Sequence, residues 1–420
     1  MSSNDDGNLD MNILYFHQHF STPSGSTGTR SYEMARRLVQ CGHRVTMVCG
    51  SGALADTGLS STPENGLRRG TVDGIDVVEI CLKYSNYDSL PKRAVTFLKF
   101  AFKSCAIAWK EDYDLLFATS TPLTAGIPGI VMRALKPGRK FVFEVRDLWP
   151  ELPKAMAVVT NPAVLLGMSI LEKMSYTAMH AGVALSPGIR EGMARRSAAG
   201  AKIAMIPNGC DLDLFRPVRD GEEQENLPLD IPRTGLRCVF TGAHGLANGL
   251  DAVLDAAAEL KKRGRDDIHL LFIGDGKLKP ALRQRAEREG LGNCRFYDPI
   301  PKTELARVLR HLDVGMMILD DVPAFYYGTS PNKFFDYIAT GMAVVTNYPG
   351  WLAEMLREHD CGEPVPPRNP QAFADALCKL ADDPDSRREY GRNARRLAER
   401  EFSRERLATE FVDFLEMHKS

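Results

Sequence analysis

The segment SPNKFFDYIATGMAVV (330–345) places a lysine and a carboxylate at the start of a predicted helix. Ser330 suits the N-cap of this helix and Gly341 suits its C-terminal stop. Lys333 and Asp336 stand three residues apart, so they share one face. A helix N-terminus with a lysine in its first turn favours a phosphate, and a carboxylate one turn later can accept hydrogen bonds from sugar hydroxyls. The alternative is an exposed Lys–Asp pair of little energetic consequence.

Two series of β-branched and aromatic runs, alternating with amphipathic helical patterns, surround this segment. The runs of the first series are 12–16, 44–49, 75–80, 114–119, 140–145, 182–186 and 202–207, and those of the second are 236–241, 269–274, 293–297, 314–319 and 343–347. Such alternation is typical of parallel sheets with helices on both faces. We therefore predict an α/β fold of two doubly wound domains. Ligands of such domains bind beyond the carboxyl ends of the strands, here in a cleft where the domains face each other.

A polar, proline-rich and charged stretch separates the two series. The predicted order is a disordered tail (1–10), a first domain (11–215), a linker (216–235), a second domain (236–394) and a C-terminal helix (395–420) that packs back on the first domain.

The composition fits a protein of the reducing cytosol and gives no sign of nucleic-acid binding or secretion. A chain of 420 residues exceeds one ordinary core. Its 53 basic and 54 acidic residues nearly cancel, so no global positive field points to nucleic acid. We find no signal peptide and no apolar run of about 18 residues. The nine cysteines are scattered without Cys-x-x-Cys spacing, which fits a reducing compartment.

Five segments, taken in order, resemble motifs of glycosyltransferase family 4, the retaining nucleotide-sugar transferases with the two-domain GT-B fold. They are STPSGSTGTR (21–30), FEVRDLWPE (143–151), IPNGCDLDLF (206–215), TGAHGLANGLD (241–251) and the opening segment with its sequel NYPGWLAEML (347–356). The resemblance runs from about residue 11 to 415. Within this family, the chain most resembles the bacterial branch that includes fucosamine transferases of surface-polysaccharide assembly.

In the first domain the resemblance assigns three residues. Gly28 matches a glycine whose backbone lies near the distal phosphate of the donor, although Gly28 taken alone would be interpreted as an ordinary loop glycine. Arg146 and Asp147 occupy the place of a His-Asp pair that contacts the transferred sugar near the acceptor. The alternative is an Arg–Asp pair that fixes the end of a strand.

In the second domain the resemblance implies that one lysine carries most of the charge facing the diphosphate. Family members have an arginine and a Lys-Gly pair in the first loop, where this chain has Ala243-His244 and Asn248-Gly249. His244, Asn248 and loop N–H groups are expected to compensate in part, and Lys333 becomes the principal cation. A loop histidine with no ligand is the alternative for His244.

The remaining donor contacts are implied by motif position. Asp336 matches the acid that binds the ribose hydroxyls, whereas Gly328 stands where the family has a further sugar-contacting glutamate. Four loop residues are expected near the donor, with plain turns as the alternative: Gly274, Gly276, Pro349 and Gly350.

Residues 90–110 are predicted to form a basic, aromatic helix. Four lysines fall on one stripe and most of the other surface, including Phe100, is apolar. Such a helix can lie in a membrane interface with its lysines at anionic headgroups. The alternative is a core helix whose lysines reach water. The stripe consists of Lys92, Lys99, Lys103 and Lys110.

We therefore expect transfer of a hexose, N-acetylated or deoxy, from a UDP-linked donor to a glycan or lipid-linked acceptor on the inner face of the plasma membrane. Lys333, the helix N-terminus and the Gly28 loop would stabilise the leaving diphosphate. No cofactor is expected, and no Asp-x-Asp pair stands where it could hold a metal. The rival interpretations are a nucleotide-sugar epimerase of the same fold and a catalytically inactive scaffold or partner subunit.

Overall fold

The computed structural model describes residues 10–25, 27–52, 55–85, 88–198, 200–219 and 227–419, and it divides into two compact units. Unit 1 contains the chain up to Pro150, Val159–Ile206 and the chain from Leu407. Unit 2 contains Glu151–Val158 and Pro207–Arg406. All but one residue of the predicted tail (1–10) lie outside the described residues.

Unit 1 is built on an eight-stranded sheet of order β3-β4-β2-β1-β5-β6-β7-β8, parallel except for the antiparallel pair β3–β4. Its strands are β1 (Asn12–Phe16), β2 (Arg44–Gly52), β3 (Leu67–Val72), β4 (Ile75–Tyr84), β5 (Leu115–Thr119), β6 (Lys140–Val145), β7 (Ala181–Ala184) and β8 (Lys202–Met205). The first helices of the chain are α1 (Arg30–Gln40), α2 (Leu90–Lys110), α3 (Ile127–Leu135), α4 (Glu151–Ala155), α5 (Pro162–Ala178) and α6 (Pro187–Arg196), of which α4 is grouped with unit 2.

Both faces of the unit 1 sheet are buried, as the near-continuous apolar runs predict. Ile13 and Tyr15 of β1 pack in one core with α1 and the end of the chain, while Leu14 and Phe16 pack in the other with α2, α3, α5 and α6.

Unit 2 is built on a six-stranded parallel sheet of order β11-β10-β9-β12-β13-β14. Its strands are β9 (Leu236–Thr241), β10 (Ile268–Ile273), β11 (Cys294–Tyr297), β12 (Val314–Met317), β13 (Ala343–Thr346) and β14 (Gly362–Pro364). The remaining helices are α7 (Asp251–Lys262), α8 (Lys279–Glu289), α9 (Lys302–Leu309), α10 (Pro323–Gly328), α11 (Asn332–Thr340), α12 (Trp351–Glu358), α13 (Pro370–Asp382), α14 (Pro384–Glu401) and α15 (Arg404–Glu416).

Helix α11 is fixed to the sheet of unit 2 by a tyrosine. The backbone N–H of Thr241, at the end of β9, donates to the Tyr337 hydroxyl at 2.9 Å. A Cβ at Gly315 of β12 would lie 2.4 Å from the Tyr337 ring, so the strand and helix approach closely only because this residue is glycine. The helix ends at Gly341, whose φ of 76° is left-handed. These contacts hold the start of α11 beside the loop after β9.

The predicted cap of α11 is wrong. The helix begins at Asn332 with Pro331 at the N-cap and no side-chain cap hydrogen bond. Ser330 instead accepts a hydrogen bond from the Asn208 backbone N–H at 3.0 Å. Its hydroxyl is therefore bound to a distant segment of unit 2 and is not directed at its own helix.

The predicted strands are present, with ends shifted by a few residues, and the structure adds β3 and β14. β3 (LRRGTV) is an edge strand with a mostly polar sequence, and β14 has only three residues. Such strands carry little apolar periodicity, because edge positions are not buried on both faces.

The observed boundary between the two units differs from the predicted domain boundary at residue 215. The long segment of unit 2 starts at Pro207, and Cys210 donates its backbone N–H to the Phe402 carbonyl at 2.6 Å. Of the predicted linker, 220–226 lies outside the described residues, while Leu227, Leu229 and Ile231 pack against the unit 2 core. At the other end, Phe411 of α15 packs edge-on against Phe117 of β5, within unit 1.

No helix among the described residues is long and apolar enough to cross a membrane.

Candidate functional site

Lys333 lies near the start of α11 and is held by two neutral neighbours. Its ammonium nitrogen is 4.1 Å from the centre of the Phe240 ring and donates to Asn248 Oδ1 at 3.2 Å. Asn248 is itself fixed, because its side-chain amide donates to the Ala243 carbonyl at 2.7 Å. In the described part of the chain, no carboxylate forms an ion pair with Lys333. The structure thus brings together Lys333 and Asn248, two of the residues predicted to bind the donor.

Burial lowers the pKa of Lys333 to about 7, since the ammonium loses hydration that no nearby anion replaces. A bound diphosphate would supply the missing negative charge and raise this pKa. The cation–π contact with Phe240 orients the side chain without neutralising it. The arrangement suits binding of an anion.

The loops after β9 and β10 pack so closely that their glycines are required by the fold. A Cβ at Gly274 would lie 1.9 Å from the Gly242 carbonyl oxygen, and one at Gly276 would lie 2.5 Å from the His244 carbonyl oxygen. The N–H groups of Gly242 and His244 already donate to the carbonyls of Ile273 and Asp275. These two N–H groups are therefore not free for a phosphate.

The expectation that His244 compensates for a missing cation is wrong. Its ring is fully buried among three aromatic rings, at centroid distances of 6.0–6.3 Å. Neither ring nitrogen has a hydrogen-bond partner among the described residues. Burial, and then Lys279, lower the pKa of His244 to about 4, so the imidazole is neutral at pH 7. The three rings belong to Phe240, Phe272 and Phe296.

Asp336 is buried beside a cluster of charges and does not pair with Lys333. Asp211 forms ion pairs with both Lys302 and Arg404. Burial raises the pKa of Asp336 to about 6, against the opposing effects of Lys302 and Arg404. The alternative of an exposed Lys–Asp pair is therefore excluded: both side chains are at least half-buried, and the described ion pairs include none between them.

Gly350 and Pro349 occupy the loop before α12. Gly350 has a φ of 118°, and a Cβ there would lie 1.9 Å from the Tyr326 carbonyl oxygen. Close backbone packing explains this glycine, while Pro349 is exposed. In unit 1, Gly28 lies half-buried in the irregular segment before α1.

Arg146 follows β6 in unit 1 and is oriented by a histidine that sequence reasoning missed. Its backbone N–H donates to Ser120 Oγ at 2.9 Å, and its Nη1 lies 3.1 Å from His17 Nε2. Arginine has only donors, so His17 Nε2 accepts and the proton of the neutral ring sits on Nδ1. The signal was present in the sequence, since His17 follows β1 directly at the ligand-binding edge of a parallel sheet.

The alternative of an Arg146–Asp147 pair at a strand end is not observed. Within the described ranges, Arg146 forms no ion pair with any carboxylate. Burial raises the pKa of Asp147, and Arg146 opposes this effect. The neighbouring Glu144 is occupied: it is fully buried with Arg30 at 2.8 Å and accepts from Thr119 at 2.9 Å.

Helix α2 exposes the predicted lysine stripe together with large apolar side chains, a surface we call the α2 surface. Its exposed residues include Val95, Leu98, Phe102 and Trp109 beside Lys92, Lys99, Lys103 and Lys110. Phe100 was wrongly assigned to this surface. It is fully buried in the core between α2 and the sheet, because it points to the opposite side of the helix.

No group of three or more His, Cys, Asp or Glu side chains that could hold a metal ion is found in the part of the chain that the structure describes.

Two family models match the chain, one in each half. Residues 25–209 match "Glycosyl transferase 4-like domain" and residues 235–383 match "Glycosyl transferases group 1". Among solved structures, sucrose-phosphate synthase from Thermosynechococcus elongatus superposes with a TM-score of 0.72 at 19% identity, covering 97% of this chain and 98% of that one. HepE of Anabaena in complex with UDP-glucose gives 0.65 at 14% identity, covering 96% and 99%. Each half of the chain is thus similar to one glycosyltransferase domain family, and the chain has the GT-B fold.

Curated relatives match over part of their length. D-inositol 3-phosphate glycosyltransferase of Corynebacterium urealyticum is 32% identical over 200 residues, which is 44% of this chain and 45% of the relative. The enzyme of the same name from Corynebacterium glutamicum is 29% identical over 205 residues, or 46% of each. The chain spans about half the length of the curated relatives it matches. These relatives do not single out fucosamine transferases.

Proposed function

We propose that this protein is a retaining, metal-independent glycosyltransferase. It moves a hexose, N-acetylated or deoxy, from a UDP-linked donor to a glycan or lipid-linked acceptor in cell-surface polysaccharide biosynthesis. The GT-B fold and the two family matches support the transferase class. The solved complex of HepE with UDP-glucose supports a nucleotide-sugar donor. The sugar and acceptor follow from the sequence resemblance alone.

One observation carries the proposal: Lys333 is a half-buried cation that Phe240 and Asn248 orient and no carboxylate among the described residues neutralises. Departure of a nucleoside diphosphate develops negative charge on the leaving oxygen. A preorganised cation aimed at that charge lowers the barrier, because it requires no reorganisation during the reaction. Lys333 would hold the diphosphate in this role, and Asp336 would accept from the ribose hydroxyls.

A catalytically inactive scaffold is the rival that an observation favours. His244, at the position where family members carry a diphosphate-binding arginine, is buried and neutral. Lys333 would then face the diphosphate with less help than in family members. A protein that binds donor without turnover is the expected behaviour of this rival.

An assay of donor turnover distinguishes an active transferase from an inactive scaffold. Purified protein is incubated with UDP-linked and other nucleotide-linked hexoses, with and without glycan acceptors, and release of nucleoside diphosphate is measured. Acceptor-dependent release that survives EDTA supports the proposal. Binding of donors in thermal shift with no release under any condition supports the scaffold, and loss of release with chelator, restored by Mg²⁺, would overturn metal independence.

We further propose that the α2 surface docks on the anionic inner face of the plasma membrane. Its exposed apolar residues would enter the interface, and each of its four lysines contributes about 1 kcal/mol near a charged surface. Flotation with anionic vesicles at low salt should recover the wild-type protein, and replacing the four lysines with glutamine should release it. Absence of wild-type flotation would end this proposal and leave the transferase assignment standing.

A further inference from the structure

Unit 1 contains two further cations, Arg93 and Arg146, that have no carboxylate partner among the described residues. Together with the neighbouring His17 and His19 we call them the arginine–histidine cluster. The Arg146 guanidinium contacts the neutral His17 ring, with Nη1 at 3.1 Å from Nε2. The nearby carboxylate of Glu144 is fully buried and has both oxygens engaged by Arg30 and Thr119. The positive charge of Arg146 is therefore oriented but not neutralised by an ion pair.

Arg93 repeats this pattern on α2. Its guanidinium carbon lies 5.7 Å from the centre of the Tyr84 ring and 6.0 Å from that of Phe97. Its Nε is buried with no hydrogen-bond partner among the described residues. The neighbouring Asp88 is paired with Lys92 at 2.6 Å. Arg93 is thus held by aromatic rings, and no described carboxylate pairs with it.

His19 connects the two arginines. Its ring lies 4.8 Å from Tyr84 and 6.4 Å from His17. Burial, then Arg146 and Arg93, lower the pKa of His19 to about 4, so both guanidinium groups act on this ring. Burial, then Arg146 and His19, hold the pKa of His17 well below its usual range. Both imidazoles are neutral and therefore add no charge of their own.

Buried polar atoms of this cluster are left unmatched. Nδ1 of His17, which must carry the ring proton, and Oε1 of Gln18 are buried without partners in the described part of the chain. A buried polar atom without a hydrogen-bond partner lowers the free energy of unfolding, unless a ligand or a water molecule forms the missing hydrogen bond. The backbone here is rigid, since His17 donates to the Val48 carbonyl and Gly50 donates to that of Gln18.

The cluster lies where ligands of a parallel sheet bind. His17 follows β1, Tyr84 ends β4 and Arg146 follows β6, so all three stand at the carboxyl ends of mutually parallel strands. Arg93, Arg146 and His19 are half-buried, which leaves them accessible from solvent.

We propose that the arginine–histidine cluster binds an anionic group of the acceptor, a phosphate ester or phosphodiester attached to a sugar. This inference rests on the proposed transferase function and names its acceptor class. Guanidinium groups bind phosphate through bidentate hydrogen bonds. Neutral imidazoles can orient the guanidinium groups without neutralising their positive charge. The Tyr84 and Phe97 rings beside Arg93 offer apolar contact for the attached sugar.

The test measures binding of glucose 1-phosphate and of methyl glucoside by calorimetry, with UDP at saturation to block the donor site. The phosphorylated sugar should bind at least about tenfold more tightly. Arg93→Gln and Arg146→Gln should each abolish this preference, while UDP affinity stays at the wild-type value. Arg44→Gln is the matched control, because Arg44 is exposed at the opposite, amino end of β2.

The two titrations are also made without UDP. Equal binding of the two sugars would overturn the proposal, and so would a preference for the phosphorylated sugar that is present without UDP and absent with it. The second result would assign these cations to the diphosphate of the donor. Vesicles of neutral lipid with added polyprenyl phosphate test whether the bound phosphate belongs to a lipid-linked or to a soluble acceptor. Their binding in the wild type, with loss in Arg93→Gln, indicates a lipid-linked phosphate, whereas glucose 1-phosphate binding alone indicates a soluble one. Unchanged UDP affinity throughout separates failure of this inference from failure of the transferase assignment.

Discussion

The two candidate sites hold their cations in the same way, and both differ from the buried ion pairs nearby. Lys333 in unit 2 and Arg146 in unit 1 touch only neutral groups among the described partners, namely an aromatic ring, an amide and an imidazole. Arg30 and Arg404 instead meet the carboxylates of Glu144 and Asp211. A cation paired with a carboxylate stabilises the fold. A cation held by neutral groups is not neutralised by an ion pair and can bind an anionic ligand.

The two sites also differ from each other in the chemistry of the cation. A guanidinium stays protonated when buried, so Arg146 is a permanent charge. An ammonium shifts readily, and burial brings the pKa of Lys333 to about 7. Unit 2 therefore has a cation whose charge depends on pH and on the bound anion, while unit 1 has one that is always present.

The largest expected effect concerns a paired cation. Arg30→Met would leave the Glu144 carboxylate buried without its counter-ion, which costs about 3–5 kcal/mol of unfolding free energy. Thermal unfolding measures the loss. Arg36→Met is the control, because its pair with Glu33 is at the surface and contributes about 1 kcal/mol or less. Equal unfolding temperatures of the two variants would contradict the structural role of Arg30.

Replacing the unpaired cation of unit 2 should spare the fold and remove activity. Lys333→Ala should lower kcat/KM by about tenfold to a hundredfold, the value of a charge-assisted contact made in the transition state. Its unfolding temperature should not fall, because the ammonium has no described carboxylate partner to lose. Lys262→Ala, at an exposed position of α7, serves as the control. Wild-type kcat/KM in the Lys333 variant would remove this residue from the site.

Asp336→Asn should weaken UDP binding several-fold with less effect on kcat, since ribose contacts are present in ground and transition states alike. The substitution should also stabilise the protein above pH 6. The folded-state pKa of Asp336 is raised to about 6, so its contribution to stability is present at low pH and is lost as pH rises through 6. Calorimetric UDP titration and unfolding at pH 4 and pH 8 measure both effects. Unchanged UDP affinity would exclude the ribose role.

The smallest expected effect is a narrow pH optimum in kcat/KM. Below about pH 6 Asp336 becomes protonated, and above about pH 7 Lys333 loses its proton, so activity should fall on both sides. Asp336→Asn should remove the acid limb, and Lys333→Arg should shift the alkaline limb upward because arginine stays charged. An acid limb that persists in Asp336→Asn would assign it to another group.

Much of the fold could be predicted from local patterns, because they follow from chain geometry. Apolar runs bounded by turns predicted twelve strands to within a few residues, and the α2 helix was predicted at its observed ends. β3 and β14 were missed because an edge strand with polar residues and a three-residue strand lack periodicity. The order of motifs predicted the GT-B class that the two family matches and the solved structures support.

Which side chains meet in the sites was decided by tertiary structure. Residue type and position identified Lys333, Asn248 and Arg146, yet only the packed strands and loops show that Lys333 rests on Phe240 and that His17 meets Arg146 across 129 positions of sequence. The same packing buries Phe100 and the His244 ring. Local sequence determines which residues are available and on which element they lie; long-range packing determines their burial, and burial sets their pKa and their freedom to bind a ligand.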